Sequence, residues 1–345
     1  MITKERITEL LADEYTKNTA VHKIHPRVSV SILAYNHEKF IEAAIESVLS
    51  QEVDFDYEIV IGEDCSLDDT RRIVSDYQKK YPDKIRLYLS KRPLNDRKSG
   101  QLNFVRNLKG CRGKYIALLD GDDYWSSPYK LQKQVSFLDN YPECALCFHP
   151  VAKLCDEGSE TQQTLYPSNK KQFYTFEDLL KGNFIATCST MLRNKLFQEF
   201  PDWYFQVAIG DWPLHLLNAQ HGQIGYLDEV MAVYRMHRGG MCATRGVIQN
   251  YLGIIKCYRF FYSHFDRKYR RLIKSRISNC YHCLAIAYEE QQQRSAALLS
   301  FFKCMLVSPA CPPVPYRRLL NEILRCSSPR LLGVLALCKS RLTGR

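Results

Sequence analysis

Lys114-Tyr115-Ile116-Ala117-Leu118-Leu119-Asp120-Gly121-Asp122-Asp123 is an apolar, strand-like run that stops in three carboxylates gathered around one glycine. A buried strand ending in Asp-x-Asp-Asp places acids at its C-terminal edge, where open α/β sheets bind ligands. Carboxylate oxygens suit Mg2+ or Mn2+, ions typically held by one or two carboxylates together with substrate phosphates. Taken alone, the run also reads as a solvated acidic turn, so its meaning depends on its neighbours.

Upstream, Val28 to Tyr35 reads as a first strand, rich in β-branched residues, and Asn36-His37-Glu38 as a turn. Phe40, Ile41, Ala44, Ile45, Val48 and Leu49 recur at helical spacing. Tyr57 to Gly62 is a second strand, running into the polar segment Glu63-Asp64-Cys65-Ser66. A helix over Arg71–Lys80, a strand over Ile85–Leu89 and a helix over Gln101–Leu108 follow. This alternation predicts a mostly parallel sheet with helices on both faces. Beyond the acidic run the pattern is mixed. We expect a helix over Leu131–Leu138, strands over Ala145–His149, Ser189–Leu192 and Val230–Met236, and a helix over Asp211–Ala219.

The chain has 345 residues, 46% of them hydrophobic, enough for a large core and about two domains. Its formal net charge is +11, from 48 basic and 37 acidic side chains, and most of the excess lies in the last third. Such a balance fits nucleic acid, an anionic membrane surface or a polyanionic substrate, as well as a plain solubilising surface. No zinc-finger, RNP or aromatic-interleaved motif accompanies it, so nucleic acid is not an expected partner. The 14 cysteines include two Cys-x-x-Cys pairs, Cys144/Cys147 and Cys280/Cys283. Neither has a matching second pair for zinc, and both intervals suit buried small apolar residues. The start of the chain does not read as a secretory signal, and no apolar run reaches the length of a membrane span. Many cysteines without a signal lead us to expect the cytoplasm.

Three regions result: a short amphipathic helix over 1–25, an α/β domain over 26–242, and a basic helical region over 243–345. Within the last, the segment from Cys283 to Pro309 resembles one tetratricopeptide-type hairpin. The tail interleaves Arg317, Arg318, Arg325 and Arg330 with leucines. It suits either an anionic membrane surface, at the inner membrane, or packing on the rest of the protein.

Four segments stand in order: Ala34-Tyr35-Asn36-His37, Glu63-Asp64-Cys65-Ser66, Asp120-Gly121-Asp122-Asp123 and Gly210-Asp211-Trp212. Over residues 27–240 this set resembles the bacterial-type, non-processive family 2 glycosyltransferases of the GT-A fold, a Rossmann-like sheet with helices on both faces. The helical region 243–345 would be an extension of it. The resemblance implies a nucleotide-sugar donor, UDP foremost, and an inverting transfer assisted by Mn2+ or Mg2+. Ala34, Tyr35 and Asn36 would lie beside the base, and Asp64 would accept from the uracil imide. Glu63 stands where many members carry a second Asp. Arg106-Asn107 fits the family's Arg-Asn pair. Asp120 would touch the ribose or metal-bound water, Asp122 would ligate the metal, and Asp123 would support it. Asp211 would be the general base, its carboxylate also favoured by a helix N-terminus. His237, after Tyr234-Arg235-Met236, would approach the metal or diphosphate, and Arg235 would meet phosphate.

No Gln-x-x-Arg-Trp follows Asp211, which argues for one sugar per encounter rather than processive synthesis. The implied acceptor is a glycan or a lipid-linked intermediate. Two alternatives remain open from the residues: a nucleotidyltransferase and a non-catalytic glycan- or nucleotide-binding scaffold.

Overall fold

The computed structural model describes residues 25–90, 99–155, 163–207 and 209–308. The helix expected over 1–25 and the Arg-rich tail beyond Pro309 lie outside the described residues. The chain divides into two compact units between Arg238 and Gly239.

In the first unit the strands are β1 (Val28–Ala34), β2 (Tyr57–Glu63), β3 (Ile85–Leu89), β4 (Tyr115–Asp120), β5 (Tyr124–Trp125), β6 (Cys144–Phe148), β7 (Val151–Cys155), β8 (Gln163–Leu165), β9 (Phe173–Tyr174), β10 (Met191–Arg193), β11 (Gln223–Tyr226) and β12 (Ala232–Met236). The helices are α1 (Ile41–Leu49), α2 (Thr70–Lys80), α3 (Ser99–Gly110), α4 (Lys130–Asn140), α5 (Phe176–Leu180) and α6 (Asp211–Ala219). Eight strands form one sheet in the order β3-β2-β1-β4-β10-β6-β11-β9. β1 to β4 are mutually parallel, whereas β10 runs antiparallel to both its neighbours. The strand expected from Ser189 begins at Met191, because Thr187–Ser189 forms a 3-10 turn.

The period of two in β1 sorts its side chains. Val28, Val30, Ile32 and Ala34 share an apolar core with Ile41, Ala44, Ile45 and Val48 of α1. Ser29 and Ser31 belong to the opposite, polar face, which meets α3. There Asn107 of α3 donates to the carbonyls of Ile32 and Val60, at 2.9 and 3.0 Å, strapping β1 to β2. Asn103 donates to the carbonyl of Gly62 at 2.8 Å. A Cβ on Gly62 would lie 2.4 Å from the Asn103 amide oxygen, so this close approach requires glycine.

Register then sets the site. Ala34 pairs with Glu63 and Leu33 with Asp120, so β1, β2 and β4 end flush at one edge. A second sheet, ordered β5-β12-β7-β8, begins just past that edge. β12 pairs antiparallel with β5 and brings Arg235 and His237 back over the Asp120–Asp123 turn.

The second unit contains α7 (Met241–His264), α8 (Arg270–Glu290) and α9 (Arg294–Val307). α7 is broken at Gly246, which has φ 71°. α8 and α9 form a helical hairpin in which the Ser278 hydroxyl donates to the Cys304 carbonyl at 2.7 Å. Cys144 and Cys147 are buried on β6 and Cys280 is buried on α8, all as free thiols.

Candidate active site

The turn after β4 is held from both sides. The Gly121 N–H donates to the Leu33 carbonyl at 2.8 Å, which ties the turn to the end of β1. The Arg235 backbone N–H donates to Asp123 Oδ1 at 2.8 Å, and the Arg235 guanidinium donates to the Asp122 carbonyl at 2.9 Å. That guanidinium also lies 4.4 Å from the Tyr124 ring centroid and 5.3 Å from that of Phe40. Arg235 therefore acts here as a clamp on the acidic turn.

Asp122 points outward from this clamp. Its Oδ2 lies 3.1 Å from His237 Nε2 and 3.7 Å from His37 Nε2. His237 is steadied by the Phe40 ring, with centroids 4.7 Å apart. His37 is fixed by its backbone N–H, which donates to the Thr70 hydroxyl at 2.7 Å. Burial holds the His37 imidazole below its ordinary pKa, partly offset by Asp122 and reinforced by His237. The sequence places His37 in the turn after β1, at the end of the Ala34–His37 segment, and assigns it no role of its own. Its position beside Asp122 arises because the β1 and β4 loops emerge side by side.

The carboxylates crowd one another. Asp120 is pushed up to about 8 by burial, then by the charges of Asp122 and Asp211, against a hydrogen bond with Thr187. Asp123 is raised by burial and by Asp122 and Asp120. The Cys188 thiol lies beside Asp123. Asp211 thus lies within electrostatic reach of the β4 turn, although 91 positions separate it from Asp120 in the chain. It heads α6, and its Oδ2 accepts from the Asn183 amide at 2.9 Å. Trp212 is buried, with its indole donating to the Leu179 carbonyl at 3.0 Å.

Other residues expected at the site have different surroundings. Tyr35 is half exposed beside the strand ends. Ala34 is buried, and its carbonyl accepts the Asp64 N–H at 3.0 Å. Asn36, at φ 54°, accepts from the Leu67 N–H at 2.9 Å and so pins the loop after β2. Asp64 is almost wholly buried and accepts from the Ser90 hydroxyl at 3.2 Å. Glu63 is fully buried and engaged by Arg71 and the Ser66 N–H. Arg106 is also buried, with its guanidinium donating to the Glu63 and Tyr88 carbonyls at 3.4 and 3.3 Å. Glu63 and Arg106 therefore brace the ends of β2 and β3 beneath the cleft.

The donor chemistry fits a divalent cation. Mutually repelling carboxylates with raised pKa values are the setting a cation relieves, and Asp122 with His237 offers oxygen and imidazole donors. Among the described residues no three His, Cys, Asp or Glu side chains make a ready cage. Remaining positions would fall to phosphate oxygens and water, the usual arrangement at Mg2+ and Mn2+ phosphate sites.

A mostly parallel sheet with acids at its C-terminal edge, and an aspartate-headed helix within electrostatic reach of them, is the arrangement expected of a glycosyltransferase-type α/β protein. The model of glycosyl transferase family 2 matches residues 29–200, and the chain belongs to that family. An uncharacterized protein of Mycobacterium tuberculosis is 36% identical over 214 residues, 62% of this chain and 60% of that protein. The chain thus spans about 60% of the length of that relative. TuaG of Bacillus subtilis, a glycosyltransferase named for teichuronic acid biosynthesis, is 29% identical over 222 residues, 64% of this chain and 83% of TuaG. Among solved structures, Staphylococcus aureus TarS 1-349 in complex with UDP-GlcNAc aligns with a TM-score of 0.60 at 18% identity, covering 87% of this chain and 89% of that one. A mannosyltransferase of Pyrobaculum calidifontis in complex with GDP-Man and Mn2+ aligns with a TM-score of 0.53 at 16% identity, covering 87% and 79%. These two likenesses establish the fold, GT-A, with helices following the α/β unit.

Proposed function

We propose that this protein transfers a sugar from a nucleoside diphosphate, UDP foremost, to an acceptor hydroxyl, with inversion and with help from Mn2+ or Mg2+. The observation that supports the reading is the electrostatic interaction of Asp211 with Asp120 of the acidic turn, which a base acting beside a cation site requires. Tyr35 and Asp64 flank the uracil, and Asp120 faces the ribose. Asp122 and His237 would hold the cation, which when bound neutralises the departing diphosphate as a Lewis acid. Arg235 keeps the turn in place from behind. Asp211 takes the acceptor proton while the acceptor oxygen forms its bond to the anomeric carbon. The bond to the diphosphate breaks on the opposite face, so no covalent enzyme intermediate is required.

A hexose or N-acetylhexosamine is the expected sugar, and a surface polysaccharide or glycolipid the expected product. The UDP-GlcNAc in the TarS complex and the role named for TuaG support this class. No described helix is long and apolar enough to cross a membrane. We place the protein at the cytoplasmic face of the membrane, attached peripherally through its basic C-terminal region.

The test is a panel of nucleotide sugars screened by thermal shift with and without Mn2+, since a bound ligand raises apparent stability. Turnover of the best donor is then measured in wild type and Asp122→Ala. A shift with one or more UDP-sugars, and turnover abolished in the variant, is the expected result. Equal turnover in both proteins would sink the proposal.

A further inference from the structure

The helical unit holds a cleft of about 420 Å3 that the transfer reaction does not use, bounded by residues of α7, α8 and α9. Leu252, Leu284 and Leu299, one from each helix, supply apolar wall. Among the described residues, the charged lining side chains are Lys256 and Arg259 of α7 and Lys303 of α9, and no carboxylate lines it. Between Gly239 and Ser308 the only acids are Asp266, Glu289 and Glu290. The Arg259 guanidinium donates to the Tyr281 hydroxyl at 2.7 Å, and Lys303 Nζ lies 5.8 Å from the Tyr281 ring centroid. Tyr281, itself buried, thereby contacts both cations, one through its hydroxyl and one through its ring.

An apolar surface continues from the cleft. Leu299, Phe302 and Leu306 are 54%, 43% and 78% exposed, and with Lys303 they fall at i, i+3, i+4 and i+7 on one face of α9. Cations above exposed leucines, with long lysine stems able to lie along the apolar wall, match the boundary between a phosphate headgroup and acyl chains. A free inorganic anion would leave the leucines unused. The basic segment after Pro309 has the same sign as the rim, and so does not complement it.

We propose that the α7–α8–α9 cleft binds an anionic phospholipid, its phosphate on Lys256, Arg259 and Lys303 and its upper acyl chain along Leu252 and Leu299. The proposal rests on the peripheral membrane attachment proposed above and moves its specific contact from the tail to this cleft. Each cation near an anionic surface contributes roughly a fivefold gain in affinity, so three contribute on the order of a hundredfold.

The experiment is co-sedimentation of the full chain with phosphatidylcholine vesicles, with and without phosphatidylglycerol. We expect binding to the phosphatidylglycerol vesicles alone. Lys256→Gln with Lys303→Gln should weaken it about 25-fold, and adding Arg259→Gln should bring the loss to about a hundredfold. Leu299→Ser should weaken it severalfold with every cation in place. These side chains are exposed or at the cleft rim, and a thermal melt checks that the variants fold. Undiminished binding by the triple variant overturns the proposal. So does equal binding to both vesicle types, or release of the wild type by millimolar inorganic phosphate, which would mark a soluble-anion site. Transfer to a soluble acceptor is measured in parallel. Its loss in every protein refutes the enzymatic reading alone, whereas its retention in the triple variant separates the cleft from catalysis.

Discussion

Lys130 opens α4 immediately behind the acidic turn and is fully buried. Its ammonium donates to Gln134 Oε1 at 2.6 Å and sits 4.1 Å from the Trp125 ring centroid. The Trp125 indole in turn donates to the Cys188 carbonyl at 3.0 Å, and the Cys188 thiol lies beside Asp123. Burial drives the lysine from 10.5 down to about 7, with Cys147 and Cys188 opposing weakly. Between these values the unfolded chain binds a proton that the folded chain has released, so stability rises with pH across that window. At about 1.4 kcal/mol per pH unit, the folded state carries a penalty of roughly 4 kcal/mol at pH 7 and about 2 kcal/mol at pH 9. Lys130→Met removes the titrating group while keeping most of its volume. The stability difference between variant and wild type should therefore move by about 2 kcal/mol in favour of wild type from pH 7 to pH 9. Urea unfolding at pH 7, 8 and 9 under reducing conditions measures it. Buried thiols such as Cys111 and Cys280, raised by burial, contribute an opposite trend that both proteins share. Parallel pH profiles for the two proteins would refute the reasoning.

Three other outcomes follow from the geometry. Asp211→Asn should lower kcat by about 10²- to 10⁴-fold, the usual contribution of a general base, while leaving the donor-induced thermal shift intact; loss of donor binding instead would make Asp211 a binding residue. His37→Gln should change Mn2+ affinity by about tenfold or more, as removal of a partner beside a metal ligand commonly does; titration followed by the Mn2+ electron spin resonance signal reads this, and an unchanged curve counts against His37. Glu58 is fully buried and accepts from Ser29 at 2.7 Å and from the Arg112 side chain and backbone, both at 2.9 Å, with Arg86 at 3.4 Å. Burial alone would raise its carboxyl, but these partners outweigh burial and hold it below 4.5. Glu58→Gln removes the buried carboxylate that Arg86 and Arg112 both engage and should cost about 3–5 kcal/mol in a denaturant titration at pH 7. The Glu58 contribution is full above pH 4.5 and is lost as acid protonates it, so the gap between the two proteins should close in acid.

Much of the first unit was legible from periodicity. β1 to β3 begin at the residues expected for them, β4 lies within the expected apolar run, and the expected helix over Asp211–Ala219 is present with those bounds. Long buried strands alternate with amphipathic helices, and each carries enough residues for its period to show. The second sheet was largely hidden. β5 has two residues and β8 has three, too few to display any period, and β5 exists through its distant partner β12; β9 of the first sheet, also two residues long, likewise depends on the later strand β11. Glu63 and Arg106 show the complementary difficulty. A carboxylate and a guanidinium near a strand end look like ligand-binding groups, yet both are buried among main-chain carbonyls and the side chains of Arg71 and Asn103.

By itself the sequence determined which apolar faces are buried, where the parallel strands run, and that three acids cluster at the end of β4, because amphipathic period is written in local spacing. Only the tertiary structure decided that His37 and His237 meet at one oxygen of Asp122, and that Asp211 comes within electrostatic reach of Asp120. The physical reason is that a polar side chain's partner depends on the register of strands and the paths of loops. In this chain such partners lie 85 to 115 positions apart, beyond the reach of any local pattern.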